Sequence, residues 1–447
     1  MRLRSLLAVL AAALVCAAPA SAAETGVNET IGQTVSTAEK APRLGADWVR
    51  VWALWQDLEQ SPGQLTEHLV GQLNHKANTL KARGIKVLVV VHRTPAWAGG
   101  GITPPDPGRF ARFMATLAQR VPAVDAWELW NEPDSSGFWA GAPQPAAYAA
   151  VVRAAYPAIK AVQPNDAVVL GGLVGNHFAF LEQLYANGVQ GSFDAVGVHT
   201  DTACLTTGPN FFYRDEQGRI GRYTFSAYRE LHQVMADRGD VKPIWLTEVG
   251  WNSQTHRKNS CNVGRWAGQK PLGVSKRRQA RLLREAYRCV AADPYVAVAF
   301  WFGIQDIPAR YTKHARGYGL YGRKGKAKPA AKAFRKLDKG IRPRRCGGYV
   351  DRTPPTIKVL SPRDGQRFGD KITVRVRAYD NRGGTGIGRV MLALDGQHVT
   401  SWGEGRGSIS PWWDSEKWKP GVHTLTFRVR DYANNETTVS VRVEKTR

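Results

Sequence analysis

The chain contains apolar, strand-like runs that alternate with stretches of helical periodicity. The clear runs cover residues 48–52, 86–91, 126–131, 167–171, 195–199, 243–248 and 297–302, and a weaker eighth run lies near 25–32. Helices are predicted between them at 65–83, 109–120, 146–162, 224–238 and 275–292. Strand followed by helix, repeated about eight times, is typical of an α/β protein whose parallel strands close into a (β/α)8 TIM barrel. No glycine-rich dinucleotide-binding loop follows the first strand.

Polar and aromatic side chains gather where the predicted strands end. In a barrel of this kind the C-terminal strand ends surround one mouth, and the active site lies there. The residues at those ends are Arg50, Trp52, His92, Asn131, Glu132, His199, Glu248 and Trp301. Because the strands before them are apolar, the pattern predicts a polar site above an apolar core.

Two glutamates, Glu132 and Glu248, follow apolar strands that lie far apart in the chain. Cleavage of a glycosidic bond commonly uses two carboxyl groups, one that protonates the leaving oxygen and one that attacks the sugar or activates water. A third glutamate, Glu128, precedes Glu132 by roughly 13 Å of strand, at about 3.3 Å per residue. We therefore expect Glu128 to lie deeper in the barrel, as a buried supporting carboxylate that needs a partner.

The segments around these glutamates resemble the retaining (β/α)8 glycoside hydrolases of clan A, in the cellulase-like and β-xylosidase-like branches. The resemblance rests on 131–133 (NEP) after a tryptophan-containing strand, on 247–251 (TEVGW) and on Trp301 in the last strand. It covers roughly residues 26–334.

The resemblance implies a role for each residue at the mouth. Glu132 would be the general acid/base and Glu248 the nucleophile of a secreted enzyme that cleaves β-glycosidic bonds by double displacement. Asn131 would bind the 2-hydroxyl group of the sugar, and Arg50 would keep Glu248 ionised. Trp301 would form the floor under the reacting sugar. The other substrate-binding candidates are His92, His199 and Trp97. No metal or other cofactor is implied.

The sixth strand lacks the tyrosine that enzymes of this clan often carry shortly after its histidine, bonded to the nucleophile. The sequence here is 199–201 (HTD), and Tyr311 or Tyr318 from a loop could take that place. The missing tyrosine supports an alternative, in which the barrel is an inactive carbohydrate-binding or cell-surface attachment protein. Trp97 also has two interpretations, as a sugar subsite or as a cap on the barrel.

Residues 1–22 have the features of a secretory signal peptide, with two arginines, a short apolar run and small residues at the cleavage point. Its removal leaves Cys204, Cys261, Cys289 and Cys346, and an even number in an exported protein favours disulfides. Four cysteines can form two disulfides in three ways, and we predict the way that pairs Cys204 with Cys261 and Cys289 with Cys346. We expect a secreted protein, extracellular or associated with the cell envelope.

The formal net charge is +25, and much of it lies between residues 310 and 345, a stretch with fourteen Lys or Arg and one acid, Asp338. The stretch is either a solvated basic face or a contact surface for an anionic cell-wall polymer or acidic polysaccharide. No nucleic-acid recognition motif accompanies the charge. We therefore expect no nucleic-acid partner. The expected substrate is a carbohydrate, and we expect the protein to be a monomer.

The pattern changes around residue 347. Period-two alternation appears at 372–378, 389–394, 423–430 and 438–443, with turns between the runs. These runs predict a small all-β sandwich, and the segment resembles bacterial immunoglobulin-like modules, which are often spacers.

The predicted organisation is a signal peptide (1–22), a glycoside hydrolase barrel (23–346), a linker (347–355) and an immunoglobulin-like domain (356–447). The last domain contains several tryptophans that either form a sugar-binding face or fill its core. They are Trp402, Trp412, Trp413 and Trp418.

Overall fold

The structure is a computed structural model that describes most of the chain. The described ranges are 23–200, 208–211, 214–215, 217–253, 273–308, 316–337, 340–346, 353–380, 387–402, 406–409, 418–431 and 435–446. The predicted signal peptide and most of the predicted linker lie outside these ranges, as do Cys204, Cys261, Tyr311, Trp412 and Trp413.

Eight parallel strands form a closed barrel in which successive strands of the chain are also neighbours in the sheet. They are β1 (Glu24–Asn28), β2 (Trp48–Leu54), β3 (Lys86–His92), β4 (Ala126–Leu129), β5 (Ala167–Val174), β6 (Ala195–His199), β7 (Ile244–Val249) and β8 (Val296–Trp301). Strand β1 pairs with β2 on one side and β8 on the other, which closes the barrel. The predicted (β/α)8 barrel is confirmed, and the weak run near 25–32 is its first strand.

Helices cover the outside of the barrel. In the described residues they are α1 (Thr37–Leu44), α2 (Trp55–Leu58), α3 (Glu67–Lys81), α4 (Pro107–Arg120), α5 (Pro145–Val162), α6 (Phe178–Ala186), α7 (Tyr228–Ala236), α8 (Lys276–Val290) and α9 (Pro329–Phe334). Helices α1 and α6 were not predicted. The first has only eight residues and contains Pro42, and the second is apolar on most of its surface, so it shows no clear helical period. None of the described helices is both long and apolar enough to cross a bilayer.

The barrel interior has two layers along the strands. The lower layer is an apolar cluster made of Trp48, Leu88, Ala126, Val169, Ala195, Trp245, Val298 and Phe300. Side chains two positions further along a strand point to the same face. Arg50 follows Trp48 in this way and Glu128 follows Ala126, so both enter the upper layer, close to the mouth.

Strands β5 and β6 approach each other so closely that only glycine fits between them. A Cβ atom on Gly172 would lie 2.1 Å from His199 Nε2, and one on Gly197 would lie 2.2 Å from the Leu170 carbonyl oxygen. The register of β5 against β6 also shifts between Leu170 and Leu173. The two glycines thus let the His199 ring enter the upper layer.

A disulfide joins Cys289, near the end of α8, to Cys346. This pair is one of the two predicted pairings and is confirmed. The other, Cys204–Cys261, lies outside the described residues. Within the basic stretch, Lys328 is buried and forms an ion pair with Asp306 at 2.8 Å, so this lysine is part of the barrel structure.

The residues from 353 onward form two β-sheets. The strands are β9 (Thr356–Ser361), β10 (Gln366–Phe368), β11 (Val374–Tyr379), β12 (Ile387–Leu394), β13 (Gln397–Trp402), β14 (Arg406–Ile409), β15 (Gly421–Asp431) and β16 (Glu436–Lys445). One sheet has the order β10-β16-β15-β12-β13 and the other the order β14-β11-β9. Buried residues of both sheets, such as Val376 and Val429, share one core. The predicted all-β domain is confirmed.

Two of the tryptophans in this domain pack with its core. Trp418 is buried with its ring 5.5 Å from the ring of Phe368, and Trp402 packs against the same core while half-buried. These two residues favour the core-filling interpretation over a sugar-binding face.

Candidate active site

Arg50 in β2 is completely buried and connects four polar side chains at the barrel mouth. Its Nε and Nη2 atoms bind the two carboxylate oxygens of Glu128 at 2.6 and 3.2 Å. Its Nη1 atom binds Asn28 Oδ1 at 2.9 Å and Glu248 Oε1 at 3.1 Å. Its Nη2 atom also binds Asn131 Oδ1 at 2.8 Å. The planar guanidinium, which has five fixed N–H donors, suits such a network.

Glu128 has the partner that its burial requires. Besides the two bonds from Arg50, its Oε1 atom accepts a hydrogen bond from the backbone N–H of Gly172 at 2.9 Å. A buried carboxylate bound in this way has hydrogen-bond partners for both oxygens and is fixed in position. Arg50 is therefore both the partner of the buried Glu128 and a neighbour of Glu248.

His199, at the end of β6, lies between the two glutamates of the predicted catalytic pair. Its Nδ1 atom is 2.9 Å from Glu132 Oε1, and its Nε2 atom is 3.5 Å from Glu248 Oε1. One carboxylate oxygen of Glu132 and one of Glu248 lie within 4.8 Å of each other. The side chain of Glu248 is 7% exposed and that of Glu132 is 21% exposed, so Glu132 is the more accessible of the pair.

Burial and the charges of neighbouring side chains shift the pKa values of Glu248 and His199 in opposite directions. Burial raises the pKa of Glu248 above its ordinary value of 4.5, and the positive charges of His199 and Arg50 oppose that rise without cancelling it. For His199, burial lowers the pKa, but attraction to Glu248 and the bond to Glu132 outweigh it, so the pKa is raised above 6.5. We therefore expect His199 to be positively charged when the carboxylates beside it are ionised.

The chain turns sharply where β4 meets the mouth. The strand ends at Leu129, two residues before the predicted end, and Trp130 and Glu132 have positive φ angles of 74° and 47°. Such angles are uncommon for residues other than glycine and persist only where the surroundings enforce them. Trp130 is fixed by its Nε1–H, which donates to the Phe138 carbonyl oxygen at 2.9 Å, and by its backbone N–H, which donates to the Val91 carbonyl oxygen at 2.9 Å. This turn directs Glu132 toward His199.

His92, at the end of β3, is buried among aromatic rings at the mouth. Its ring is 5.4 Å from Trp52 and 5.7 Å from Phe138. Burial lowers the pKa of His92 to about 3, and the charges of Arg93 and Arg50 add to that effect. Neither ring nitrogen has a hydrogen-bond partner among the described residues. His92 is therefore a neutral imidazole whose ring nitrogens are buried without a hydrogen-bond partner in the described part of the chain.

Trp301 does not lie where a bound sugar would contact it. Its side chain is completely buried, its Nε1–H donates to the Tyr318 carbonyl oxygen at 2.9 Å, and its ring packs 6.2 Å from that of Trp251. The register of β8 points Phe300 into the barrel and Trp301 outward, toward the helices. We therefore assign Trp301 to packing, which corrects its predicted role as the sugar floor.

Trp97 also lies apart from the carboxylates. It is half-buried in a short 3-10 helix, Ala96–Ala98, and its Nε1–H donates to the Glu59 carbonyl oxygen at 2.9 Å. It lines a cavity of about 450 Å³ that shares no lining residue with the group around Arg50. The structure thus brings together Arg50, His92, Asn131, Glu132, His199 and Glu248, and it places Trp97 and Trp301 elsewhere.

One residue of the mouth, Asn28, was missed in the sequence, and Trp52 was placed at its strand end without a role. Asn28 is buried at the end of β1, where it binds Arg50 and donates to the Thr247 carbonyl oxygen at 2.9 Å. Trp52 is half-buried with its ring 4.7 Å from the guanidinium of Arg50. Asn28 could have been found, because it ends the weak first strand, and Trp52 is two residues beyond Arg50 on the same face.

The tyrosine absent from the sixth strand has no direct replacement among the described residues. Tyr318 packs its ring 5.3 Å from that of Phe302, and Tyr311 lies outside the described ranges. Instead, His199 itself is the side chain next to Glu248 on this strand.

Glu132, His199 and Glu248 also have the spacing of a possible metal site. However, the guanidinium of Arg50 is 3.1 Å from Glu248 Oε1, and its positive charge opposes a second cation at the same oxygen. The arrangement therefore favours carboxylate chemistry over metal binding. A closed parallel barrel with two close carboxyl groups at its mouth is the architecture of a glycoside hydrolase.

Family comparisons agree with this class. The model of the family Cellulase (glycosyl hydrolase family 5) matches residues 18–267. The model Bacterial Ig domain matches residues 355–426. The chain belongs to glycosyl hydrolase family 5, is a glycosidase, and carries a C-terminal bacterial immunoglobulin domain. No curated protein matches it.

Solved structures share the fold at low sequence identity. A family 39 glycoside hydrolase from Bacteroides cellulosilyticus WH2 is 18% identical, with a TM-score of 0.56 over 94% of this chain and 81% of that chain. A GH5_18 protein from Streptomyces cattleya, solved with Manβ1-4GlcNAc, is 17% identical, with a TM-score of 0.51 over 78% of this chain and 85% of that one. The GH5_18 protein from Bifidobacterium longum subsp. longum, in complex with the same disaccharide, is 15% identical, with a TM-score of 0.52 over 78% and 82%.

Proposed function

We propose that the protein is a secreted retaining glycosidase that cleaves β-glycosidic bonds, with Glu132 as general acid/base and Glu248 as nucleophile. The observation that carries this proposal is the approach of the two carboxyl groups to within 4.8 Å. Retaining enzymes hold their carboxyl groups about 5–5.5 Å apart, whereas inverting enzymes leave about 6.5–9.5 Å for a water molecule. The short separation favours direct attack by Glu248 on the sugar.

In the first step, the Glu248 carboxylate attacks the anomeric carbon while the bond to the leaving oxygen breaks. The proton of the Glu132 carboxyl goes to that oxygen, so the leaving sugar departs as an alcohol. The product is a glycosyl ester on Glu248. In the second step, Glu132 takes a proton from water, whose oxygen attacks the anomeric carbon and releases Glu248 as a carboxylate.

The surrounding residues support these roles. Arg50 stabilises the Glu248 carboxylate both before attack and after release, since its Nη1 atom is 3.1 Å from Glu248 Oε1. Asn131 is fixed by its Oδ1 atom, which accepts from Arg50, so its NH2 group is the part left to bind a sugar hydroxyl. His199 holds the Glu132 carboxyl in place at 2.9 Å, and neutral His92 packs beside Trp52 at the edge of the group.

The alternative, a binding protein that has lost activity, depended on the missing tyrosine. No contact in the described part of the mouth favours it, because both carboxylates and Arg50 are in place.

The test is to trap the intermediate. The purified protein is first screened on aryl β-glycosides and on β-linked oligosaccharides, including Manβ1-4GlcNAc. An activated 2-deoxy-2-fluoro analogue of the best substrate should then label the protein once, on the peptide that contains Glu248, as mass spectrometry can show. Proton NMR should show release of the product with its anomeric configuration retained.

The variants Glu132→Gln and Glu248→Gln should each lower kcat on the order of 10⁴-fold, because each removes a group that moves a proton or forms a bond. Glu67→Gln is the matched control, since Glu67 is exposed on α3 and pairs only with Arg120 among the described residues. Full activity in either site variant, or labelling of a different residue, would refute the assignment.

Export is a further part of the proposal. It is supported by the signal-like residues 1–22 and by the Cys289–Cys346 disulfide, because such bonds persist mainly in oxidising compartments. Mass spectrometry of protein secreted by its host should find a mature chain that starts near residue 23. An intact N-terminus on protein retained inside the cell would contradict export. Sedimentation of the mature chain tests the expected monomer.

We also propose that a basic cleft contacts an anionic cell-wall polymer or acidic polysaccharide. This basic cleft lies between α8 and α9, has a volume of about 400 Å³, and is lined by Arg277, Arg284, Lys332 and Lys336 with no acidic residue. The arginines of α8 lie outside the basic stretch 310–345 that the sequence singled out. Retardation of the full chain in gels that contain polygalacturonate should weaken with salt and with Lys332→Gln/Lys336→Gln. The control Arg83→Gln/Arg153→Gln removes the same charge elsewhere and should retain the interaction.

A further inference from the structure

The cavity that Trp97 lines lies between helix α4 and the connections that follow β2 and β3. Its volume is about 450 Å³, and none of its lining residues belongs to the group around Arg50. The lining consists of Glu59, Pro62, Gly63, Leu65, Trp97, Arg109, Arg112, Phe113 and Thr116. It therefore combines an aromatic ring, apolar side chains and two cationic side chains.

The ring of Trp97 is held in a fixed orientation at this cavity. Its Nε1–H donates to the Glu59 carbonyl oxygen at 2.9 Å, and its edge meets the buried ring of Trp55 at 5.9 Å. The side chain is only half-buried, so part of the ring remains exposed to the cavity. A fixed, partly exposed aromatic ring suits the apolar C–H face of a sugar, because its position costs little entropy on binding.

The two arginines of the cavity carry positive charge that no described carboxylate pairs with. Arg109 and Arg112 are exposed on α4, and neither has an ion-pair partner among the described residues. The guanidinium of Arg109 is 5.8 Å from the centre of the Trp97 ring, so an anion next to the ring would lie within its reach.

The one carboxylate of the cavity is already engaged. Glu59 is buried, its Oε2 atom accepts from Trp55 Nε1–H at 2.5 Å, and its Oε1 atom accepts from the backbone N–H of Gly63 at 2.6 Å. Both oxygens thus face the protein, and the donors left for a ligand are the guanidinium groups of Arg109 and Arg112.

We propose that this cavity is an accessory binding site for an acidic saccharide, a sugar with a carboxylate, which packs on Trp97 and binds Arg109 and Arg112 through its carboxylate. Guanidinium groups bind carboxylates in a planar, two-point geometry. The inference goes beyond the proposed hydrolysis and does not depend on it, because the cavity and the catalytic carboxylates share no residue. An acidic sugar is favoured over a nucleotide because the barrel belongs to a family that acts on sugars.

The test is calorimetry on the full-length mature chain. The ligands are trisaccharides of galacturonate, glucuronate or mannuronate, and each is compared with its own methyl ester, which has the same size but no charge. At least one acid should bind about tenfold more tightly than its ester, the usual size of a charge-assisted hydrogen bond. Equal affinity of every acid and its ester would overturn the proposal. So would tighter binding of adenosine monophosphate than of any of the trisaccharides.

Variants locate the site. Arg109→Gln/Arg112→Gln should reduce affinity for the acid to that for the ester, and Trp97→Ala should weaken both ligands. Arg83→Gln/Arg153→Gln is the control of equal charge change and should bind normally. Loss of binding in Lys332→Gln/Lys336→Gln, with none in the Arg109/Arg112 variant, would place the acid in the basic cleft and overturn the proposal.

Two further measurements distinguish loss of binding from unfolding, and failure of this proposal from failure of the proposed hydrolysis. Trp97→Ala removes a side chain that packs on Trp55, so the thermal stability of this variant is also measured. If the Trp97→Ala variant unfolds, the arginine variants decide the result, because both arginines are on the surface. Glu248→Gln should still bind the acid. Binding without hydrolysis in the native protein would therefore contradict only the proposed function.

Discussion

The two layers of the barrel interior differ in chemistry although both are buried. The lower layer consists of apolar side chains, with the rings of Trp48 and Trp245 in edge contact at 4.8 Å. The upper layer holds Arg50, Glu128 and Glu248, linked by ion pairs of 2.6 and 3.1 Å. The same strands build both layers, so the depth along a strand alone separates them.

This difference indicates what each layer contributes. Apolar side chains gain free energy when they leave water. Charged groups lose solvation, and a buried ion pair recovers that loss only with good geometry and further hydrogen bonds. The lower layer therefore stabilises the barrel, whereas the upper layer costs solvation free energy and holds the charges on which the proposed mechanism depends.

Among the variants that compare the two layers, the largest combined effect on stability and activity should come from Arg50→Met, which removes the positive charge of the upper layer. Two buried carboxylates, Glu128 and Glu248, would lose their partner, and we expect a loss of about 3–5 kcal/mol in the free energy of unfolding. We also expect kcat to fall on the order of 10²–10³-fold, the usual effect of removing one group that stabilises charge at a reaction centre. Urea unfolding and steady-state kinetics measure the two effects.

The control for Arg50→Met is Arg120→Met, because Arg120 also pairs with a glutamate, Glu67, but both side chains are exposed. Exposed pairs are weak, so neither kcat nor the urea midpoint should change measurably. If Arg50→Met behaved like this control, burial of the upper layer would have no energetic consequence and the comparison of the two layers would fail.

Trp245→Ala in the lower layer should affect stability but not kcat, so its combined effect is smaller than that of Arg50→Met. Truncation of this buried side chain should cost about 3–5 kcal/mol in the free energy of unfolding, because it leaves a cavity among packed rings. The kcat of the folded variant should remain that of the wild type, since Trp245 does not contact the carboxylates. Unfolding curves and kinetics at a temperature where the variant is folded provide the check. A large fall in kcat at unchanged stability would show that the layers are coupled.

The smallest effect is expected from His199→Asn, which tests the charge balance within the upper layer. Burial raises the pKa of Glu248 above 4.5, and His199 opposes that rise. The nucleophile must be ionised, so the acid limb of kcat/KM should lie above pH 4.5 and move to higher pH in the variant. At the optimum we expect a loss of about tenfold, the size of one charge-assisted hydrogen bond.

The same variant has a signature in stability. The pKa of His199 is raised in the folded protein, so its contribution to the free energy of unfolding is complete below pH 6.5 and is lost as the pH rises through the folded-state pKa. The difference between wild type and His199→Asn in urea should therefore be largest on the acid side and shrink toward alkaline pH. A difference that grows with pH would mean that His199 is neutral.

The comparison also explains how well the sequence predicted the site. Strands and their ends are visible in the sequence because apolar runs, turn residues and the polar residues at strand ends are local features. Arg50, Asn131, Glu132, His199 and Glu248 were identified in this way, and the structure brings them together. Asn28 was missed because its strand is the least apolar of the eight.

Aromatic residues were less predictable. Whether a strand residue faces the interior or the helices depends on register, and a shift of one residue exchanges the two faces. The register of β8 turns Trp301 outward, and Trp97 is held away from the mouth by its bond to the Glu59 carbonyl oxygen. Neither contact is encoded by residues adjacent in sequence.

By itself, the sequence determined the alternation of strand and helix, the polar residues at the strand ends and the change to an all-β domain near residue 347, because these are short-range patterns. Only the tertiary structure decided that His199 lies between Glu132 and Glu248, and that Arg50 joins Glu128 to Glu248. Those contacts depend on the closure of the barrel and on the close approach of β5 and β6 at Gly172. Closure and register are long-range properties, and a local pattern cannot specify them.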